Sequence, residues 1–514
     1  MIWYKCYIRL NVFRCAAIFA ALFVFCGSAY AEDVTFRSVD DGLVVSGRFV
    51  SFDGEVVTLA SEKGPFAFRA EGMVCDGLTC PDLSNYVPRL RMAGAGRMAD
   101  VLLPSLIDAY ARDNSWTVRE DQIGFQVLRS DGSIEVEIEL SIRSGRSAFD
   151  MFLAQYADVL MSVRELRVDE VGEAFERGLG QLNTARQGQI LALDAFVPVT
   201  DASSDRRSIA MAELTNAISG NSEEFDFILA GEYESQLAGL EQRFLHPFNF
   251  TASENIEVLD KVESVREFVA NTRGVLTVLP YNETGNTQSL TLDGPCGLSS
   301  EATFLTLKTE DYPLTFPMFL YLPQRRLHPS EAAFLAWLRS PAAQLVIRRA
   351  GFVDLAAVPI SLQNQGDRIA NAITNAGLEI PLGELQRMVR ILSPQVRMSS
   401  TFRFEPGSTR LDGQSRSNIR QLAQAIRDGR FGGQKLMFVG FSDGRGPAAA
   451  NRDLSAARAE SVRRDIEAAL GGIIPINVTI ETEAFGEALP MACDDTIWGQ
   501  QINRRVELWV QGAP

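Results

Sequence analysis

Three polar residues in the stretch from Lys435 to Leu470 have types and spacing that could build a binding site. They are Asp443, Asn451 eight positions later, and Arg458 fifteen positions after the Asp. A fixed carboxylate holds a cation, and a guanidinium fork holds a carboxylate through paired hydrogen bonds. The surrounding sequence predicts how they are positioned. Leu436, Phe438 and Gly440 alternate with Met437, Val439 and Phe441 as in a buried strand, and Gly444, Gly446 and Pro447 break it. A helix follows, in which Asn451, Leu454, Arg458, Val462 and Ile466 recur at helical spacing, so Asn451 and Arg458 share one side of it. Asp443 leaves the strand beside them. An isolated Asp and Arg on such a helix would be an ordinary surface ion pair worth little.

The register of the whole stretch is more specific than such a pair. Asp443 in the turn after a strand, Asn451, Leu454-Ser455 and Arg458-Ala459 resemble the pattern of the OmpA-like family of peptidoglycan-binding domains. Asn503-Arg504-Arg505-Val506-Glu507 is similar to that family's closing strand. Thr401-Phe402-Arg403-Phe404, with Gly407-Ser408 and Leu411, is similar to its opening strand and first turn. The resemblance covers about Val396 to Gln511. It implies that Asp443 and Arg458 grip the diaminopimelate of a wall stem peptide, the Asp taking the side-chain ammonium and the Arg the side-chain carboxylate. It also implies that Asn451 orients the site and that Arg505 assists from the last strand. The turn Ser442-Asp443-Gly444-Arg445-Gly446 departs from the family, where many members have Thr before the Asp and a polar residue after it.

At the other end, Lys5, Arg9 and Arg14 precede an apolar run from Cys15 to Gly27 and then Ala29-Tyr30-Ala31. A basic start, a short apolar centre and a small-x-small end predict a secretory signal peptide at 1–31, cleaved after Ala31. The run falls short of the roughly 20 residues that span a bilayer. The formal charge of −16 becomes −19 without those three basic residues, which argues against nucleic acid as a partner. His246 and His328 are the only histidines, so a histidine-based metal site or a Ser/His/Asp triad has little to work with. The reading is a binding protein and not an enzyme, with no cofactor and no metal.

Once the leader is removed, Cys75, Cys80, Cys296 and Cys493 remain, and four cysteines allow three pairings. A local bridge between Cys75 and Cys80 around Asp76-Gly77-Leu78-Thr79 is the favoured one, leaving Cys296 with Cys493. Residues 32–84 read as a small β-rich module of about four to six short strands separated by Asp-Gly and Lys-Gly turns.

From 86 to 362 strands alternate with helices. The first strand runs into Gly94-Ala95-Gly96-Arg97 and then a helix, and a Gly-rich turn feeding a helix offers free N–H groups to an anion. Later segments continue the alternation at Ile190–Val199, Gly274–Tyr281, Tyr312–Tyr321 and Ala332–Pro341. The succession resembles the periplasmic solute-binding proteins of the phosphate-transport type, whose type II fold has two α/β lobes and a ligand cleft. The resemblance makes Gly94, Ala95, Gly96, Arg97, Asp158 and Ser162 candidates for a phosphate or other small anion. The family's Thr-Phe is replaced by Arg97-Met98, and its Arg-rich Ser-Gly-Thr loop is absent. Acidic Gly231-Glu232-Tyr233-Glu234-Ser235 stands in the loop's place. Residues 363–395 read as a partly helical connector, and 396–514 as an OmpA-like βαβαββ sandwich.

Taken together, the sequence predicts an α/β multidomain protein of the periplasm, associated with the cell wall and outer membrane. Its solute-binding-like body would be held to peptidoglycan non-covalently, with an ABC transporter or an envelope complex as a further partner. The alternative is a phosphate or oxyanion uptake component that the wall domain only localises.

Overall fold

The computed structural model describes residues 33–40, 42–62, 64–230, 240–246, 249–361, 365–374, 379–404, 410–494 and 496–511. The leader at 1–31, the Gly231–Ser235 stretch and the Gly407-Ser408 turn lie outside them. The chain divides into two compact units, Met1–Tyr86 and Val87–Pro514. No helix of the described residues is long and apolar enough to cross a membrane.

In the first unit five antiparallel strands, Asp33–Ser38, Val44–Phe52, Val56–Ser61, Gly64–Arg69 and Met73–Asp76, form one sheet in which the last pairs with the first. Alternation places Val34, Phe36, Val57 and Leu59 on the buried face. A Cys75–Cys80 disulfide closes the turn after the last strand.

The second unit begins with the two-lobed body. Strand Arg89–Gly94 runs parallel to Ile134–Ile142 and Val159–Ser162, with helices Leu103–Asp113 and Gly145–Leu153 packed in the same lobe. The 13-residue strand Gly188–Thr200 joins the lobes. Its first half pairs with Thr315–Tyr321 and its second half with Val275–Pro280, which belongs to the second lobe with Asp226–Ala230 and Glu257–Leu259. The strand is buried along almost its whole length, which explains its near-continuous apolar sequence.

The C-terminal sheet orders its strands as Pro359–Ile360, Val396–Arg403, Arg505–Gln511, Lys435–Phe441 and Thr479–Ala484. Leu436 and Phe438 face helices Gly413–Arg427 and Ala448–Ala469, in a core with Leu422, Val462 and Ile466. Met437, Val439 and Phe441 face the other way, and there the structure corrects the sequence reading. The described part of the partly helical connector expected at 363–395 does more than space two domains. Its helix Leu382–Leu392 lays Leu385, Met388 and Leu392 onto Met437, Val439, Phe441 and Trp509, covering the second face of the sheet. An apolar strand with no polar side needs two such layers.

The two halves of this unit are joined covalently and by charge. Cys296 of the second lobe is bonded to Cys493 of the C-terminal domain. Asp311, just before the strand Thr315–Tyr321, accepts from Arg397 at 3.0 Å and from Arg403 at 3.2 Å.

Candidate functional site

The strand Lys435–Phe441 delivers Ser442 and Asp443 to the rim of the C-terminal domain. Gly440 is required just before, because any Cβ there would collide with the Ser455 carbonyl oxygen of the facing helix. The turn is held by three hydrogen bonds. Ser442 N–H donates to Gly486 O at 2.8 Å, Gly444 N–H to the Asp494 carboxylate at 2.8 Å, and Arg445 N–H to Asp443 Oδ1 at 3.1 Å. Gly446 at φ +89° and Pro447 then start the helix Ala448–Ala469.

Asn451, Ser455, Arg458, Ala459, Val462 and Ile466 are the buried residues of that helix. Leu454, expected on this stripe, is 40% exposed, and Ser455 takes its place against the strand. The small side chain fits the close approach at Gly440, and its hydroxyl accepts from Gly486 N–H at 3.1 Å. Asn451 donates through Nδ2 to the Glu487 carboxylate and to Gly446 O at 3.4 Å, bracing the turn from the first part of the helix.

Asp443 and Arg458 are 8% and 5% exposed. The Arg458 guanidinium lies over the Phe404 ring, 5.3 Å from its centroid, inside the roughly 6 Å reach of such a contact. Among the described residues its Nε and Nη1 have no hydrogen-bond partner. Burial pushes its pKa down, the nearby Arg504 charge adds to this, and Asp443 offsets part of it. Asp443 is in an ion pair with Arg504, whose Nη2 also reaches Gln500 Oε1 at 3.4 Å. Arg504 is therefore the member of the closing Arg-Arg pair that reaches this site.

Arg505 does not assist there, contrary to expectation. It is fully buried at the opposite face, over the Phe441 ring at 4.4 Å, and bonded to Glu507 at 2.7 Å and to the Leu489 and Asn503 carbonyls. Successive residues entering a strand point to opposite faces, so the two arginines have different roles. Glu487 and Asp494 complete the surroundings of Asp443. Burial raises both, and the Asp443 charge raises them further.

The second candidate group lies in the two-lobed body and is only partly assembled. Gly94 takes φ +142°, and a Cβ on it would collide with the Met161 carbonyl oxygen, so this Gly is needed for strand contact. The N–H groups that an anion would use are partly committed. Ala95 donates to Met161 O at 3.2 Å, and Met98 and Ala99 both donate to Ala95 O. Arg97 is buried against the protein's own carboxylates: Nε donates to Asp194 at 3.0 Å, Nη1 pairs with Glu283, and Nη2 donates to Asn282 at 2.9 Å. Its charge is thereby neutralised internally.

Ala95 and Ser162 line one cavity of about 330 Å³ with Arg143, Arg146, Arg164 and His246. Arg164 is spent on Glu170 through two bonds of 2.7 Å, and Ser162 Oγ donates to Arg164 O at 2.8 Å. Gly96 and Arg97 are not in its wall, nor is Asp158.

Asp158 precedes the strand Val159–Ser162 and so stands at the end away from Ser162, about 13 Å along the chain at strand rise. It pairs with Arg91 at 2.8 Å and with Arg325. Nearby, burial pushes Glu331 up to about 7 and the Asp158 charge adds to the push, against the lowering by the His328 and Arg89 N–H groups. A carboxyl raised in the folded state costs stability as pH rises from its unfolded value near 4.5 to the folded one. Glu331→Gln is therefore expected to stabilise the protein at pH 8 by about 2 kcal/mol, read as a higher urea midpoint at unchanged slope, and to leave the midpoint nearly unchanged at pH 5. An equal effect at both pH values would refute the assignment.

The OmpA family model matches residues 403–504. No curated protein sequence matches the chain. Among solved structures, an ABC-type phosphate transport receptor from Vibrio cholerae is 12% identical with TM-score 0.41, over 51% of this chain and 99% of that one. A putative phosphate ABC transporter substrate-binding protein with bound phosphate from Clostridium perfringens is 11% identical with TM-score 0.40, over 52% and 100%. The peptidoglycan-associated lipoprotein from Burkholderia pseudomallei is 25% identical with TM-score 0.19, over 22% of this chain and 89% of that one. Over residues 403–504 the chain carries an OmpA-family domain.

Proposed function

We propose that this protein is a periplasmic, non-enzymatic binding protein held to peptidoglycan by recognition of diaminopimelate in its C-terminal domain. The observation that carries the reading is Arg458, a buried guanidinium whose Nε and Nη1 are unsatisfied among the described residues and which lies within the field of the Asp443 charge. A buried cation without hydrogen bonds is costly. A guest carboxylate supplies what Arg458 lacks. The ammonium of the same zwitterionic side chain then falls to the acidic group made by Asp443, with Arg504 sharing Asp443 or moving aside. Asn451 acts on the turn and does not need to touch the guest.

The two-lobed body is proposed to present a solute site to the same compartment. The cavity at Ala95 and Ser162, with Arg143 in its wall and Arg146 shared with Asp150 and Glu173, is where a small anion would sit, for delivery to an ABC transporter or an envelope complex. The internal pairing of Arg97 weighs against a tightly held dianion such as phosphate at the first loop itself.

The test is retention of the full chain on purified sacculi. Wild type is expected to sediment with diaminopimelate-containing sacculi and much less with walls that carry lysine at that position, since lysine has no side-chain carboxylate. Asp443→Ala is expected to weaken retention about 10- to 100-fold, as loss of a charge-assisted hydrogen bond does, with an unchanged circular dichroism spectrum. Equal retention on both wall types would sink the reading.

A further inference from the structure

We propose that the second lobe of the two-lobed body is a positioning element of the wall site, acting through the Cys296–Cys493 bridge. This rests on the wall-binding reading for its consequence but not for its geometry. Cys296 lies in the short loop between the strands Thr291–Asp293 and Ser299–Ser300 of the second lobe. Its own N–H donates to Cys493 Sγ at 3.1 Å, in addition to the covalent bond. Gly294 has no room for a Cβ, because Cys493 Sγ fills that place, and Gly499 has none because of the Cys493 carbonyl oxygen. The bridge is therefore wedged on both sides.

From Cys493 the connection to the turn is short. Asp494, the next residue, accepts the Gly444 N–H at 2.8 Å, and Gly444 follows Asp443. Asn503 clasps the same loop: its Oδ1 accepts from Met491 N–H at 2.6 Å and Ala492 N–H at 3.1 Å, and its Nδ2 donates to Asp494 at 2.7 Å. Arg504, the residue after Asn503, pairs with Asp443. Both flanks of Asp443 thus depend on the loop that the lobe holds by a covalent bond.

A second contact reaches the same lobe. Trp498, in the helix Ile497–Asn503, donates through Nε1 to Phe244 O at 3.2 Å and stacks on Phe250 at 6.5 Å between ring centres. Glu241 and His246 of that lobe segment line the cavity at Ala95 and Ser162. The helix that ends in Asn503 is consequently braced by a segment that also lines the cavity. Where the lobe shifts, the loop at Cys493 must follow, and the geometry of Asp443 with it.

The experiment uses the full chain and follows amide hydrogen exchange at Gly444 and Arg445 with no wall fragment present. Cys296→Ser with Cys493→Ser is expected to speed exchange of the Gly444 amide about tenfold or more. Asp494→Ala marks the rate of an unpartnered Gly444 amide, and Cys75→Ser with Cys80→Ser is expected to change nothing at the turn. Trp498→Leu, which keeps the bridge, is the companion variant if the double variant does not fold, and a smaller acceleration is expected from it. Sacculus retention of the bridge variant should fall about tenfold in parallel. Wild-type exchange at the turn in every folded lobe variant would overturn the proposal, whether or not sacculi are bound. Faster exchange in a protein that sacculi never retain would overturn the wall reading and leave the coupling in place.

Discussion

Arg458→Met is expected to make the protein more stable while removing its hold on the wall. A buried guanidinium with two nitrogens unsatisfied among the described residues has lost hydration and gained the Phe404 ring and the nearby Asp443 charge in return. A buried charge without hydrogen bonds is costly, and Asp443 keeps Arg504 as its partner when Arg458 is gone, so an apolar side chain of similar length removes the cost without orphaning the carboxylate. Methionine is unbranched, follows the path of the arginine stem, and its sulfur packs well against an aromatic ring. The urea midpoint of the variant is expected to rise at unchanged slope, and retention on diaminopimelate-containing sacculi to fall about 100-fold, the loss that follows when a guest carboxylate has no charged partner. This opposition of effects separates a binding residue from a structural one. A variant that loses both stability and retention would mean that Arg458 supports the helix and that the guest binds elsewhere.

What the sequence revealed of this site, and what it hid, follows from how far apart the deciding residues lie. The Asp443, Asn451 and Arg458 register was readable because a turn and two coils of helix fix it locally. Leu454 and Ser455 are neighbours separated by only 100° around the helix, so spacing alone does not choose between them. The choice depends on Gly440 of the facing strand, where a close approach excludes the larger side chain. Arg504 and Arg505 posed the same difficulty at the entry to a strand, where a shift of one residue exchanges the faces. The fate of Arg97 could not be read locally at all, since Asp194 and Glu283 come from segments 97 and 186 residues away. The second layer on the C-terminal sheet did leave a signal. The strand Leu436–Phe441 is apolar or glycine at every position, which calls for cover on both faces, and the amphipathic run around Leu385 and Met388 supplies it.

Glu507→Gln is expected to cost about 3–5 kcal/mol, the usual penalty for removing one member of a buried ion group while its partners stay charged. Glu507 is fully buried and receives Arg368, Arg505 at 2.7 Å, Arg397 at 3.4 Å and the Trp509 indole N–H at 3.0 Å. Asp311 of the two-lobed body serves Arg397 and Arg403 in the same group, so the charges bind the C-terminal sheet to that body. Burial alone would raise the Glu507 carboxyl, but Arg368, Arg397 and Arg505 reverse this and hold it well below the usual carboxylate range. Asp311 is likewise lowered, burial being outweighed by Arg397 and Arg403. A carboxylate depressed in the folded state contributes its stability in full above the unfolded pKa, near 4, and loses it as pH falls toward the folded value. Wild type should therefore lose stability steeply below about pH 5, and Glu507→Gln, already without that carboxylate, should show a shallower slope from a lower starting point. The measurement is a set of urea unfolding curves from pH 7 to pH 3 on both proteins. Parallel pH profiles would show that the acid sensitivity resides elsewhere. A variant as stable as wild type at pH 7 would show that the arginines find other partners, and that the contact between the sheet and the two-lobed body does not depend on this carboxylate.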